Sequence, residues 1–119
     1  MYILICEDEH FIRHALAEHL SLLGYQVSEA ENGLECIELV SNTEPDLILM
    51  DLKMPELDGA KTIAKLKNMK IQSAIIILSG FGASDELAAE HICIAKPYRL
   101  SEVSNLIKTK FGHARPKNT

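Results

Sequence analysis

The sequence predicts an α/β domain in which helices cover both faces of a parallel sheet. Three short apolar runs are continuous rather than alternating, which indicates strands that are buried on both faces. They occupy residues 2–6, 47–50 and 74–78. Stretches with apolar residues at helical spacing separate these runs, and this alternation favours parallel strands joined by right-handed crossovers. Because the chain has 119 residues, it can bury one core of this kind, and we expect one domain.

Two weaker strands complete the predicted sheet. Residues 26–30 are partly polar and residues 92–95 form a run of only four. Both features suit strands that lie nearer the edges of the sheet.

Four segments show apolar residues at helical spacing. The first is the clearest, since Asp8 or Glu9 can cap its start and Gly24 can end it. In chain order, the apolar positions that define the helices are Ile12, Ala15, Leu16, Leu20 and Leu23; Leu34, Ile37 and Val40; Ala60, Ile63, Ala64 and Leu66; and Leu100, Val103, Leu106 and Ile107. Residues 79–91 carry little such periodicity, so we expect a short fourth helix or disorder there. The glycines of that stretch favour a mobile loop.

Composition and charge restrict the class of protein. A formal net charge of −5 disfavours direct nucleic-acid binding, which depends on basic residues. No apolar run approaches the roughly 20 residues that span a bilayer, and the N-terminus becomes acidic before a signal-peptide core could form. We expect a cytoplasmic protein without membrane contact, with a domain over residues 1–112 and a polar basic tail over residues 113–119. Three cysteines without C-x-x-C spacing favour reduced, structural thiols.

Charged and polar side chains follow four of the five predicted strands. Glu7 and Asp8 follow the first strand, Asp51 the third, Ser79 the fourth and Lys96 the fifth. Because parallel strands end at the same edge of a sheet, and ligands bind beyond those ends, we expect these residues to converge.

Three converging carboxylates require a counter-charge. Mutual repulsion favours either proton uptake or a bound cation, and a cluster of oxygen ligands without His or Cys suits Mg²⁺. Asp51 could then act as a nucleophile toward phosphorus and form an aspartyl phosphate. Lys96 would supply an ammonium group, and Ser79 a hydroxyl donor, for the phosphoryl oxygens.

Four motifs together resemble the signature of response-regulator receiver domains, and the resemblance covers essentially the whole chain. They are Glu7-Asp8, residues 51–59 (DLKMPELDG), Ser79-Gly80 and Lys96-Pro97. The resemblance implies a flavodoxin-like, doubly wound sheet of five parallel strands in the order 2-1-3-4-5. It also implies a cis Lys96-Pro97 bond, and it matches Pro55 and Gly59 to the loop after the phosphoacceptor.

The resemblance further implies a function and a role for each site residue. Asp51 would accept a phosphoryl group from a histidine kinase or histidine phosphotransfer protein, and the domain would signal to a downstream protein target. Glu7, Asp8, Asp51 and the backbone carbonyl of Lys53 would hold Mg²⁺, or alternatively Mn²⁺. Such a protein is a phosphoacceptor rather than an enzyme, although it catalyses its own phosphorylation and dephosphorylation. We expect a monomer or weak dimer.

The sequence departs from this family on the surface that changes shape upon phosphorylation. Cys93 stands where receivers usually have a tyrosine or phenylalanine that rotates as a switch. The segment 79–96 is several residues shorter than in most receivers, as in the receivers of hybrid kinases. We therefore expect phosphorylation to order residues 80–90, with Phe81 and Tyr98 as exposed contacts.

Other interpretations fit the same residues less well. Haloacid-dehalogenase-like phosphohydrolases also form an aspartyl phosphate, but they need a second Asp at the position of Lys53. A degenerate receiver that only binds partners remains an alternative, although the complete acidic and basic set disfavours it. Among the five histidines only His10 and His14 share i, i+4 spacing, so a zinc site is not expected, and His91 is predicted to be solvated. Asp46 and Asp58 border turns and are predicted to be structural.

Overall fold

A computed structural model describes residues 1–54, 57–79 and 85–112 of the chain. Its elements in chain order are β1 (Tyr2–Cys6), α1 (His10–Leu22), β2 (Gln26–Ala30), α2 (Gly33–Asn42), β3 (Leu47–Asp51), α3 (Gly59–Asn68), β4 (Ala74–Ser79), α4 (Asp85–Glu90), β5 (Ile92–Ala95) and α5 (Leu100–Phe111). The five strands are parallel and lie in the order β2-β1-β3-β4-β5. The predicted fold class and strand order are confirmed.

The sheet separates two hydrophobic clusters, as the continuous apolar strands predicted. Alternate residues of a strand point to opposite faces of the sheet. Because both faces are covered, the central strand β3 is buried along its whole length. One cluster packs strand residues such as Ile5 and Leu49 against α1 and α5. The other packs residues such as Leu4 and Ile48 against α2 and α3. This double cover makes the carboxyl ends of β1, β3 and β4 the edge at which polar side chains can meet.

The four helices predicted from apolar spacing are present, and α1 begins after Glu9 and ends just before Gly24, as predicted. Glu9 is the N-cap residue of α1, but its side chain accepts no capping hydrogen bond. Gly24 follows the end of α1 with φ +98°, a left-handed conformation that glycine adopts without strain. Asp58 caps α3 by accepting a hydrogen bond from the Lys61 amide at 2.8 Å, so its predicted structural role is confirmed.

The buried faces of α1 and α3 differ in phase from the predicted ones. In α1 the buried residues are Arg13, Leu16, Ala17 and Leu20. Leu16 and Leu20 agree with the prediction, whereas in the first turn Arg13 is buried in place of the predicted Ile12. In α3 the predicted core positions Ala60 and Ala64 are exposed, and Thr62 is buried instead. The Thr62 hydroxyl donates to the Asp58 carbonyl at 2.8 Å, which satisfies its polar group inside the core.

The region around β5 contains the short fourth helix that was predicted. α4 has six residues, and residues 80–84, which include Phe81, lie outside the described residues, as does the predicted tail 113–119. The Lys96-Pro97 bond is cis, as the resemblance implied.

The prediction that His91 is solvated is wrong. Its side chain is 18% exposed, its Nε2 lies 3.9 Å from the Glu90 carboxylate, and it borders a cavity that residues of α3 also line. His10 and His14 are exposed on α1 with stacked rings. Within the described part of the chain, no helix has the length and apolar character needed to cross a bilayer.

Candidate functional site

Three carboxylates meet at the carboxyl edge of the sheet. Glu7 and Asp8 directly follow β1, and Asp51 is the last residue of β3. Glu7 and Asp51 are almost completely buried, whereas Asp8 is exposed. One carboxylate oxygen from each residue lies within 4.8 Å of the other two. The parallel register of β1 and β3 thus produces the acidic cluster that the sequence predicted.

Lys96 reaches the cluster from the end of β5. Its Nζ donates to Glu7 Oε1 at 2.8 Å and lies 3.3 Å from Asp51 Oδ1. Its backbone amide donates to the Ser79 carbonyl at 2.8 Å, which holds this residue against the end of β4. The ammonium therefore bridges two of the three acids, and the cluster retains an excess of negative charge.

Burial and crowding shift the pKa values of these groups. Burial is the largest cause of the raised pKa of Glu7, and repulsion from Asp51 adds to it. At Asp8, which stays exposed as a residue, partial desolvation of the carboxylate is the largest cause of the raised pKa, and repulsion from Glu7 adds to it. Burial lowers the pKa of Lys96, but contacts with Glu7 and Asp51 outweigh this effect and leave the pKa above its usual value. The lysine is therefore charged at neutral pH, while the acids favour a proton or a cation.

The donor set fits a hard divalent cation. The three carboxylates supply oxygen ligands without a His or Cys side chain among them, which is the chemistry that Mg²⁺ and Mn²⁺ accept. Because Asp8 is exposed, solvent reaches the cluster from its side. This opening suits an ion that keeps several of its waters.

The loop after β3 holds the carboxylate of Asp51 and packs closely against its backbone. The Lys53 amide donates to Asp51 Oδ1 at 3.2 Å. The Gly59 amide donates to the Leu52 carbonyl at 2.9 Å, and a Cβ at Gly59 would clash with the carbonyl oxygen of Asp51. Pro55 lies outside the described residues. Glycine at the start of α3 is thus required for the helix to approach the end of β3.

Ser79 occupies the neighbouring strand end. In the register of β3 and β4, Asp51 pairs with Leu78, so Ser79 is one residue further toward the carboxyl edge. Its side chain is largely buried. This position is compatible with the phosphoryl contact that the resemblance implied.

The predicted switch residues have different environments. Cys93 is exposed on β5, opposite Ile77 of β4. Tyr98 is half-buried rather than an exposed contact, so that expectation is wrong. It packs against the core, and its hydroxyl is buried without a hydrogen-bond partner among the described residues. Burial raises the pKa of Tyr98 to about 12.

Tyr98 also borders an apolar groove of about 520 Å³ beside Lys96. The groove is lined by Phe11, Ile12, Ala15, Lys96, Pro97, Tyr98 and Leu100. Phe11 is 82% exposed, so α1 presents a large apolar side chain to solvent at this groove.

Arg13 is a buried cation beside the acids that was not predicted from the sequence. Its side chain is 10% exposed and forms an ion pair with Glu29 at 3.0 Å. Its guanidinium also donates to the Glu7 carbonyl at 3.0 Å. The signal was its spacing, since Arg13 lies three, four and seven residues before the buried positions Leu16, Ala17 and Leu20.

Comparison with known proteins identifies relatives over nearly the whole chain. The response regulator receiver domain family matches residues 3–108. The chain is 33% identical over 113 residues to sporulation initiation phosphotransferase F of Bacillus subtilis (strain 168), covering 89% of this chain and 90% of that protein. It is 36% identical over 119 residues to the transcriptional regulatory protein PdtaR of Mycobacterium tuberculosis, covering 95% of this chain but 58% of the relative.

A solved structure supports the same fold. The receiver domain protein (CheY-like) of Methanospirillum hungatei JF-1 superposes with a TM-score of 0.84 at 24% identity, over 93% of this chain and 94% of that chain. Receiver domains of two-component systems are phosphoacceptors that bind Mg²⁺ at an acidic pocket and interact with histidine kinases and downstream targets. The fold, the acidic cluster and the family match lead to one conclusion: the chain belongs to the response regulator receiver domain family.

Proposed function

We propose that this chain is a phosphorylation-dependent switch in which Asp51 accepts a phosphoryl group in the presence of Mg²⁺. The observation that carries the proposal is the convergence of three carboxylates within 4.8 Å, with the Lys96 ammonium 2.8 Å from Glu7 and 3.3 Å from Asp51. An acidic cluster with one bridging cation is suited to a divalent metal and a phosphoryl group together.

The proposed reaction transfers a phosphoryl group without further cofactors. A carboxylate oxygen of Asp51 attacks the phosphorus of a phosphohistidine on a kinase or phosphotransfer protein. The new P–O bond forms as the P–N bond breaks, and the departing imidazole nitrogen takes up a proton. Mg²⁺, when bound, offsets the negative charge of the carboxylates and the phosphoryl oxygens.

The side chains around Asp51 would divide the remaining work. Glu7, Asp8 and the backbone carbonyl of Lys53 would hold the metal with Asp51. Lys96, already 3.3 Å from Asp51, would pair with a phosphoryl oxygen, and Ser79 would donate its hydroxyl to another. The same groups would support hydrolysis of the acyl phosphate, so the chain would be a self-catalysing phosphoacceptor rather than an enzyme.

We also propose the domain bounds, the localisation and the structural response to phosphorylation. Residues 1–112 would form the receiver domain and residues 113–119 a basic tail, in a cytoplasmic monomer or weak dimer that binds a downstream protein. Because Cys93 lacks an aromatic ring, a change in residues 80–90 would report phosphorylation, and within that segment residues 85–90 already form α4. Phe81 lies outside the described residues, and Tyr98 would contribute through its packing beside Lys96.

The test is intact mass spectrometry after incubation with acetyl phosphate, with and without Mg²⁺. We expect a phosphoryl adduct that requires Mg²⁺ and is absent from Asp51→Asn. Asp46→Asn is the matched control, because Asp46 accepts a hydrogen bond from the Tyr2 amide at the opposite edge of the sheet. A folded parent protein without an adduct, or an adduct retained in Asp51→Asn, would contradict the proposal.

A further inference from the structure

Arg13 is a buried cation on α1 whose side-chain contacts all lie at the carboxyl edge of the sheet. Its NH1 donates to the Glu7 carbonyl at 3.0 Å, and its Nε donates to Glu29 Oε1 at 3.0 Å. Its NH2 lies 3.0 Å from His10 Nδ1. A buried arginine with three separate partners has a fixed geometry, because the planar guanidinium holds its donors in fixed directions.

The contact with Glu7 involves the peptide group that links two acids of the site. The amide of Glu7 donates to the Ala30 carbonyl at 3.0 Å, so neighbouring β2 holds this residue on its N-terminal side. The Glu7 carbonyl belongs to the next peptide, which leads to Asp8 beyond the end of β1. Arg13 supplies the hydrogen bond on that side, and the direction in which the Asp8 carboxylate points depends on the orientation of this peptide.

The positive charge of Arg13 does not explain its position. A cation beside a metal site would repel the metal, and Glu29 offsets the charge of Arg13 through the 3.0 Å ion pair. His14 Nδ1 lies 3.6 Å from the same glutamate. The geometry of the hydrogen bond is therefore the contribution that a metal site would use.

We propose that Arg13 is a positioning residue that orients the Glu7–Asp8 peptide and so increases the affinity of the acidic cluster for a divalent cation. This inference rests on the proposed metal-dependent function. Groups that orient metal ligands from outside the coordination sphere typically change metal affinity by roughly 10-fold to 100-fold.

The test is a titration of the protein with Mn²⁺, in which electron paramagnetic resonance measures the concentration of the free ion and so gives the dissociation constant. We expect Arg13→Ala to bind Mn²⁺ roughly 10-fold more weakly than the parent protein. Electrostatics alone predict the opposite sign, because loss of a positive charge favours cation binding. The direction of the change therefore separates positioning from charge.

Three further variants serve as controls. Arg13→Lys keeps a cation and a long side chain but not the planar set of donors, so we expect an intermediate loss of affinity, which also provides a result if Arg13→Ala fails to fold. Lys65→Ala removes an exposed charge from the last turn of α3, and Val103→Ala weakens the core at α5. Both should bind Mn²⁺ as the parent does.

The outcomes distinguish this inference from the function on which it rests. Unchanged or tighter Mn²⁺ binding by folded Arg13→Ala or Arg13→Lys, with a parent protein that binds the ion, would overturn the role of Arg13 alone. An equal loss in Val103→Ala would show a general effect of stability and would overturn it as well. A parent protein that does not bind Mn²⁺ would refute both the metal site and the inference.

Discussion

Gly59 is the position at which a single methyl group should disturb the phosphoacceptor most directly. In Gly59→Ala the new Cβ would clash with the carbonyl oxygen of Asp51 and lie 2.6 Å from Leu52 Cα. Real Cβ atoms do not approach other heavy atoms closer than about 3.0 Å. Both obstacles are backbone atoms of the segment that carries Asp51, so the start of α3 and the end of β3 must separate by at least about 0.4 Å.

The cost of this separation follows from opposing effects on the helix and the core. Alanine favours a helix by up to about 1 kcal/mol over glycine, whereas overpacking costs about 1–3 kcal/mol. We expect a net loss of roughly 1–2 kcal/mol, which corresponds to a Tm lower by about 4–8 °C for a domain of this size. Displacement of the acceptor by a fraction of an ångström should slow phosphorylation of Asp51 on the order of 10-fold.

Gly33→Ala is the matched control for this experiment. Its Cβ would meet Thr62 Oγ1 and lie 2.6 Å from the Leu57 carbonyl oxygen, so it also overpacks the structure, but between α2 and the loop before α3. Thermal unfolding should show a loss in both variants, whereas the rate of adduct formation with acetyl phosphate should fall in Gly59→Ala only. Equal rates in Gly59→Ala and the parent, or equal slowing in both variants, would refute the reasoning.

Two further predictions concern a buried hydroxyl and a buried carboxyl. Tyr98→Phe should stabilise the fold by about 1 kcal/mol in chemical denaturation, because it removes a buried hydroxyl without a partner among the described residues. Tyr25→Phe is the control and should destabilise the fold, because the Tyr25 hydroxyl donates to the Gly112 carbonyl at 3.2 Å. Equal effects of the two substitutions would contradict this prediction. The pKa of Glu7 is raised from 4.5 in the folded protein, so above pH 4.5 the native state binds more protons than the unfolded chain. In metal-free buffer, the free energy of unfolding of the parent should therefore fall relative to that of Glu7→Gln as the pH rises from 4.5. A difference that stays constant with pH, or a gain, would contradict that assignment.

The acidic site was predictable because backbone topology alone determines it. A strand buried on both faces has an apolar run that ends abruptly, and the first polar residues after it must lie at the sheet edge. Glu7 and Asp51 follow two such runs, and Lys96 follows the shorter run of the edge strand β5. The parallel register brings the three side chains together. Neither side-chain rotamers nor helix packing had to be known, since the ends of parallel strands coincide in space.

Burial at the ends of elements was not predictable in the same way. His91 precedes β5 and Tyr98 follows it, and a short segment gives no periodicity from which to assign a face. Each borders a cavity that elements distant in sequence also line, α3 in the case of His91 and α1 in the case of Tyr98. The exposure of such residues depends on how helices pack against the finished sheet, which local sequence does not encode.

Arg13 shows why a helix near the site is harder to interpret than a strand end. The apolar positions Ile12, Leu16 and Leu20 define a stripe on α1, but each residue turns the helix by about 100°, so a shift of one position moves the stripe away from the sheet. A charged residue within the correct stripe is then assigned to solvent, as arginine usually is. The ion pair with Glu29 offsets part of the cost of burying that charge, and Glu29 comes from β2, a strand that begins after α1 has ended. The ion-pair partner that stabilises the buried arginine can therefore be identified only when the pairing of β1 and β2 is known. That pairing places Glu29 opposite Ile5, near the peptide whose carbonyl accepts the hydrogen bond from Arg13.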